Sequence, residues 1–192
     1  DSLNKKAEEF ADVYKMGRTQ LQDAIPMSLG QEFAAYSKVL SRDVNRFKKA
    51  IEALSFVNLG GTAIGTGLNA DERYVEEVVE VLAEVTGLDL KQNDDLIDGT
   101  QNLDSILFAS SVLKTFAASL SKISNDLRLM SSGPQTGIFD IKLPARQAGS
   151  SIMPGKVNPV IPEVVNQVAF LVIGNDVSVT MAVEAGQLEL NA

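Results

Sequence analysis

The residues best able to do chemistry are concentrated between positions 143 and 159, in the run LPARQAGSSIMPGKVNP. Two hydroxyls, a cation and an amide lie close together there: Ser150, Ser151, Lys156 and Asn158. Gly149 and Gly155 permit unusual backbone angles and hinge-like motion. The run therefore suits a catalytic loop. From composition alone it suits equally well a plain connector, in which the serines make turn bonds and the asparagine caps the next helix.

The amino-acid composition narrows the chemistry further. The 192-residue chain contains no histidine and no cysteine. The commonest general base and metal ligand is therefore missing from it, and so are thiolates and disulfides. Proton transfer by this chain must use Ser, Thr, Tyr, Lys or a carboxylate.

Charge and hydropathy bear on the partners that the protein could have. The formal net charge is −8, which argues against a nucleic-acid phosphate backbone as partner. No run approaches about 18 uninterrupted apolar residues, so we expect no membrane span. The absence of cysteine is compatible with a reducing compartment, and we expect a cytoplasmic protein.

Helical periodicity dominates the chain, and no segment shows sustained alternation with period two. We predict helices over about 29–57, 75–85 and 103–130, and a fourth that opens at Asn158-Pro159. Such long helices predict an all-α fold, an elongated long-helix bundle.

Apolar positions in the third helix recur with three- and four-residue spacing, as they do in helices that pack against partners. They are Ile106, Ala109, Leu113, Phe116, Leu120, Ile123, Leu127 and Met130. This pattern predicts a homo-oligomeric bundle. The polar residues Asn125, Asp126 and Arg128 are interpreted as structural contacts, and Asn175-Asp176 as an interhelical hydrogen-bonding pair.

Three blocks resemble the aspartase/fumarase superfamily. The segment 149–158 (GSSIMPGKVN) is similar to its signature loop, and 17–26 and 61–69 resemble two further blocks in the same order. The resemblance covers essentially the whole chain. It implies that residues 1–192 form the central helical domain of a homotetrameric enzyme, whose N-terminal and C-terminal domains lie outside this sequence.

Within the superfamily, two features resemble aspartases more than fumarases. Gln20 stands where fumarases usually carry histidine, and the residues after Pro159 read like aspartases. The resemblance implies a lyase that converts L-aspartate to fumarate and ammonia, without cofactor or metal. A fumarase or another lyase of the superfamily remains an alternative, as does a helical oligomerisation module without catalysis.

The resemblance also implies roles for individual residues. Ser150 would be the base, acting as an alkoxide in a mobile loop, and Lys156 would be a second catalytic group. The substrate would be held by residues of the loop and of a neighbouring subunit: Ser151, Ile152, Met153, Lys156, Asn158, Thr19 and Gln20. Glu163 would pair with Lys156 or relay charge, although an acidic residue in the first turn of a helix needs no such role.

The glycine-rich segment 60–67 superficially suggests a phosphate-binding loop. It lacks the Lys-Ser/Thr ending and a preceding predicted strand. We interpret it as a glycine-rich break between helices near the active site.

Overall fold

The computed structural model describes residues 1–191, and long helices dominate it. The elements in chain order are α1 Ser2–Glu9, β1 Tyr14–Thr19, β2 Gln22–Ser28, α2 Leu29–Leu54, β3 Phe56–Val57, α3 Glu72–Thr86, β4 Lys91–Gln92, α4 Leu96–Gln101, α5 Asp104–Met130 and α6 Val160–Glu184. The all-α class and the four principal helices are confirmed.

The helix ends follow local capping chemistry. Ser28 Oγ accepts from the Gln31 N–H at 3.1 Å, and Gln31 Oε1 accepts from the Ser28 N–H at 3.0 Å. This reciprocal pair starts α2. Gly87, with φ +68°, closes α3. The predicted extension of α2 to residue 57 is wrong, because Phe56 and Val57 form a short parallel strand pair with β4.

The strands β1 and β2 form an antiparallel hairpin that the helical periodicity did not predict. Gln20 and Leu21 form its turn, and both have positive φ, as the tight turn of a two-residue hairpin requires. The pairing register shifts between Met16 and Arg18. A Cβ on the intervening Gly17 would lie 2.8 Å from the Ile25 carbonyl oxygen, so this position has room only for glycine.

The chain divides into two compact units, and the first comprises Asp1–Val44 and Phe116–Leu171. Its buried core consists of Leu29, Phe33, Tyr36, Ile123 and Met130. Leu3 of α1, and Phe10 directly after this helix, pack against the core. The hairpin and the whole 149–158 loop belong to this unit.

The second unit comprises Asn45–Thr115 and the chain from Val172 onward. Ala50, Val79 and Val112 are its buried apolar residues on α2, α3 and α5. Gly65, with φ +90°, lies so close to α4 that a Cβ there would be 2.4 Å from the Ile97 backbone. The glycine-rich segment is thus a tight connection against α4, which agrees with its interpretation as a break between helices.

Two helices, α5 and α6, are long and apolar enough to cross a membrane, by length and composition only. The expectation of no such segment rested on uninterrupted apolar runs, whereas mean hydropathy tolerates isolated polar residues. Both helices do contain polar residues that are buried within their units, including Ser124, Asn166 and Asp176.

Candidate functional site

The 149–158 loop lies between α5 and α6 and is held by its own backbone. The Lys156 N–H donates to the Met153 carbonyl at 3.1 Å, with Pro154 and Gly155 between them. Gly155 has φ +82°, so the arrangement matches a type II turn, which needs glycine at that position. A Cβ on Gly149 would lie 2.4 Å from the Lys156 carbonyl oxygen. The two ends of the loop are therefore in close contact.

Within this loop the Ser150 hydroxyl lies close to two backbone N–H donors. Ser150 Oγ accepts from the N–H of Ile152 at 3.2 Å and from that of Met153 at 3.3 Å. Both donors place partial positive charge beside the oxygen. Donors in this position stabilise negative charge that develops on Oγ.

Lys156 and Asn158 follow Ser150 in the same loop, and both side chains are exposed. Within residues 1–191 neither the Lys156 ammonium nor the Asn158 side-chain amide makes a hydrogen bond or ion pair. The α6 helix begins at Val160, and Pro159 provides the carbonyl for its first helical bond, from Glu163 N–H at 3.2 Å. The Asn158 side chain is thus not used as a helix cap, and both groups are available to bind a carboxylate.

Glu163 lies in the first turn of α6, and its nearest cation is not the expected Lys156. Its Oε1 is 3.9 Å from Arg128 Nη2, whereas no ion pair joins it to Lys156 in the described chain. Arg128 Nη1 donates to Asn166 Oδ1 at 3.2 Å, and Asn166 is buried. Pairing with Arg128 therefore replaces the expected pairing with Lys156. A charge-relay role for Glu163 stays a prediction.

Thr19 and Gln20 lie at the exposed tip of the hairpin. No hydrogen bond or ion pair links this tip to the 149–158 loop in the part of the chain that the structure describes. The structure thus brings Ser150, Ile152 and Met153 together but leaves the two hairpin residues outside that group. Ser151 is exposed next to Ser150, and its hydroxyl makes no hydrogen bond within residues 1–191.

One charged cluster was missed by the reasoning from sequence. On the hairpin, Arg18 Nη1 donates to Asp140 Oδ2 at 2.6 Å, and Lys15 Nζ lies 3.4 Å from the same oxygen. Lys15 also pairs with Glu32 of α2 at 2.5 Å. The hydrogen bond that Arg18 donates to Asp140 raises the pKa of Arg18 above its usual value. Arg18 and Asp140 are 122 positions apart, so no local pattern could have signalled their contact.

A second network continues from Glu32 into the core of this unit. The buried Tyr36 hydroxyl is 3.1 Å from Glu32 Oε1 and donates to Asp126 Oδ2 at 2.9 Å. Burial, reinforced by the two carboxylates, raises the pKa of Tyr36 far above its usual range. The phenol therefore stays neutral, which agrees with Asp126 as a structural contact and gives Tyr36 no role as a base.

Among residues 1–191, no group of three or more His, Cys, Asp or Glu side chains could hold a metal ion. The loop itself offers the Ser150 hydroxyl with its two backbone donors, the exposed Ser151 hydroxyl, one ammonium and one amide.

Comparisons with known proteins identify relatives of this chain. The aspartate ammonia-lyase of Bacillus subtilis is 59% identical over 189 residues, which are 98% of this chain and 40% of that protein. The Escherichia coli K12 enzyme of the same name is 56% identical over 191 residues, covering 100% of this chain and 40% of that protein. The chain thus spans about 40% of the length of these curated relatives.

Solved structures show the same fold. A fumarate lyase:delta crystallin from Brucella melitensis, bound to cobalt, superposes with a TM-score of 0.96 at 52% identity and covers 100% of this chain and 42% of its own. A class II fumarase from Schistosoma mansoni gives a TM-score of 0.95 at 38% identity, over 98% of this chain and 43% of its own. The family described as Lyase matches residues 1–174. By sequence and by fold, this chain belongs to that lyase family.

Proposed function

We propose that the whole protein is an aspartate ammonia-lyase that converts L-aspartate to fumarate and ammonia. The observation that carries the proposal is the Ser150 hydroxyl, which accepts two backbone N–H bonds in a loop where Lys156 is exposed and has no ion-pair partner among residues 1–191. The relatives named aspartate ammonia-lyase, at 56–62% identity, indicate the substrate.

The reaction follows from these groups. Ser150, as an alkoxide, removes a proton from the carbon next to the side-chain carboxylate of aspartate. The electron pair moves into that carboxylate and gives a doubly charged aci-carboxylate, whose oxygens Lys156 and Asn158 stabilise. The pair then returns to form the carbon–carbon double bond, the carbon–nitrogen bond breaks, and ammonia leaves with the bonding electrons. Ser150 finally releases its proton, which ammonia takes up in water.

The test of this mechanism is Ser150→Ala in the whole protein. Loss of the base should lower kcat for aspartate by about 10²–10⁴-fold, measured by the ultraviolet absorbance of fumarate. The matched control is Ser41→Ala, which removes an exposed hydroxyl in the middle of α2. If Ser150→Ala turned over aspartate at a rate near that of the control, Ser150 would not be the base.

A fumarase is the second candidate, because the Schistosoma mansoni class II fumarase shares this fold at 38% identity. Gln20 argues against a fumarase, since fumarases usually carry histidine at the corresponding position. The wild-type protein should form fumarate from aspartate and should not form it from malate. The reverse preference would establish the fumarase, and turnover of neither substrate would favour a module without catalysis.

We further propose that the protein is a homotetramer whose helices form a shared bundle. On α6, Ile161, Val164, Val168 and Leu171 are each more than half exposed and follow the 3-4-3 spacing of a helix-packing seam. Such a continuous apolar surface needs a partner in water. Thr19 and Gln20, which are not bonded to the loop of their own chain, would then contribute to the site of another copy.

Other copies of the chain suit this surface better than lipid does. The α6 helix that carries this surface also contains Glu163, Asp176 and Glu184, and ionisable residues are costly in a membrane. Sedimentation of the whole protein without detergent should give a tetramer. A monomer, or a protein that requires detergent, would contradict the proposal. A cytoplasmic location stays a prediction.

A further inference from the structure

We propose that Asp140 is a positioning residue, which sets the affinity for aspartate by holding the Thr19–Gln20 tip of the hairpin in place through Arg18. The inference rests on the proposed function, because it assumes that this tip binds substrate. Asp140 itself touches no substrate in this proposal.

The contact lies immediately beside the tip. Arg18 precedes Thr19 in the chain, and its guanidinium donates to Asp140 at 2.6 Å. A second carboxylate, Asp23, lies 3.6 Å from Arg18 Nε, but its side chain is 76% exposed, against 13% for Asp140. A charged hydrogen bond shielded from water is stronger and more directional than an exposed one. Asp140 is therefore the partner that fixes Arg18.

The carboxylate is presented by a braced segment. The N–H of Phe139 donates to the Ser132 carbonyl at 3.0 Å, and that of Ile141 to the Met130 carbonyl at 3.2 Å. These two bonds attach the backbone on both sides of Asp140 to the last residue of α5 and to the turn that follows it. A side chain whose own backbone is fixed can hold its hydrogen-bond partner in one orientation.

The base of the hairpin is held mainly by a second carboxylate, because Lys15, although 3.4 Å from Asp140, lies closer to Glu32. Lys15 is 9% exposed and pairs with Glu32 in the first turn of α2. The tip residues Thr19, Gln20 and Leu21 are exposed, and within residues 1–191 their side chains bond to nothing else. Arg18–Asp140 is thus the tether nearest the tip, and its loss lets the tip move while Lys15 still holds the base.

The effect on kinetics follows from the role of the tip. Residues that hold a carboxylate in both the ground state and the transition state change KM with little change in kcat. Small displacements of a positioning group cost on the order of 10²-fold in efficiency. In the whole protein, Asp140→Ala should raise KM for aspartate by about tenfold or more, with kcat within about threefold of wild type. A merely structural role would lower the amount of active enzyme, and hence the apparent kcat, at unchanged KM.

The matched control is Glu9→Ala. It breaks the Lys6–Glu9 pair, which has the same 2.6 Å distance but is about half exposed, and KM should stay unchanged. Asp140→Glu, which keeps the charge, should recover most of the affinity. If Asp140→Ala does not fold, Arg18→Gln removes the same contact from the hairpin side and should raise KM in the same way.

The outcomes separate this inference from the proposed function. A wild-type protein that does not deaminate aspartate overturns the proposed function itself. A wild-type enzyme that is active, with KM unchanged in both Asp140→Ala and Arg18→Gln, overturns only the positioning role.

Discussion

The buried carboxylate of Asp176 gives the sharpest prediction about stability. It lies on α6 in the second unit and is only 3% exposed. It accepts from Ser110 Oγ at 2.8 Å and from Lys114 Nζ at 2.5 Å, both on α5. The expectation that Asn175-Asp176 makes interhelical hydrogen bonds is thus confirmed for Asp176, and Asp176→Asn should destabilise the protein.

The size of the loss follows from these contacts. Breaking a fully buried ion pair costs about 3–5 kcal/mol. Lys114 is 43% exposed and can return to water, which lowers that cost. Asn keeps the shape and an acceptor for Ser110 but loses the charge, and a bond to a charged group contributes about 1.5–3 kcal/mol. We expect a loss of about 2 kcal/mol in the free energy of unfolding.

The loss should depend on pH in a definite direction. The hydrogen bond from Lys114, then that from Ser110, lowers the pKa of Asp176 below its usual value. A carboxyl with a lowered pKa in the folded state stabilises the protein above its unfolded pKa of about 3.9, and this contribution is lost as pH falls through the folded value. The difference between wild type and Asp176→Asn should therefore be full near neutral pH and shrink below about pH 4.

Urea unfolding of the whole protein, at matched protein concentrations because it is proposed to be an oligomer, measures the difference. The control is Asp89→Asn in the same unit, where an 86% exposed carboxylate lies 3.6 Å from Lys91. An exposed pair of this kind should cost at most about 0.5 kcal/mol. Two results would refute the reasoning from burial. One is an equal loss of stability in both variants, and the other is a loss for Asp176→Asn that does not shrink at low pH.

Two further changes test the helix ends, each by the same unfolding assay. Ser28→Ala removes the acceptor for the Gln31 N–H and should cost about 1 kcal/mol, and a loss no larger than that of the exposed Ser41→Ala would show that the capping box contributes nothing. Gly87→Ala should also cost about 1 kcal/mol, because φ is +68° and nothing lies within 4 Å, so that only backbone strain is added. Gly87→Asn should cost less than Gly87→Ala, and the opposite order would point to a steric cause instead.

The helices could be predicted because the information that sets their ends is local. The Ser28 and Gln31 side chains bond within three residues, and Gly87 closes α3 through its own backbone angle. The same holds for the loop, since both N–H donors to Ser150 come from the next three residues. The geometry of such a contiguous motif is therefore set by residues that are neighbours in the sequence.

What could not be predicted depends on contacts between distant positions. The β3–β4 pair joins segments about 35 residues apart, and its partners carry no recognisable pattern. The Arg18–Asp140 contact spans 122 positions. Glu163 was expected to pair with a lysine nearby in sequence, but Arg128 of another helix is its neighbour. In each case the chain offered several charged or apolar partners, and only the packing of helices selects one.

The polar residues of α6 show how that selection works. Hydropathy alone cannot tell which face of α6 meets α5, because exposed Val164 and Val168 are at least as apolar as the buried Ala169. A buried polar group without a partner is costly, so it allows only the face on which it finds one. In the first unit Asn166 donates to Ser121 Oγ at 2.8 Å, and in the second Asp176 accepts from Ser110. These residues direct their own faces of α6 toward α5, and the valine face is thereby left for the partner that the proposed tetramer supplies.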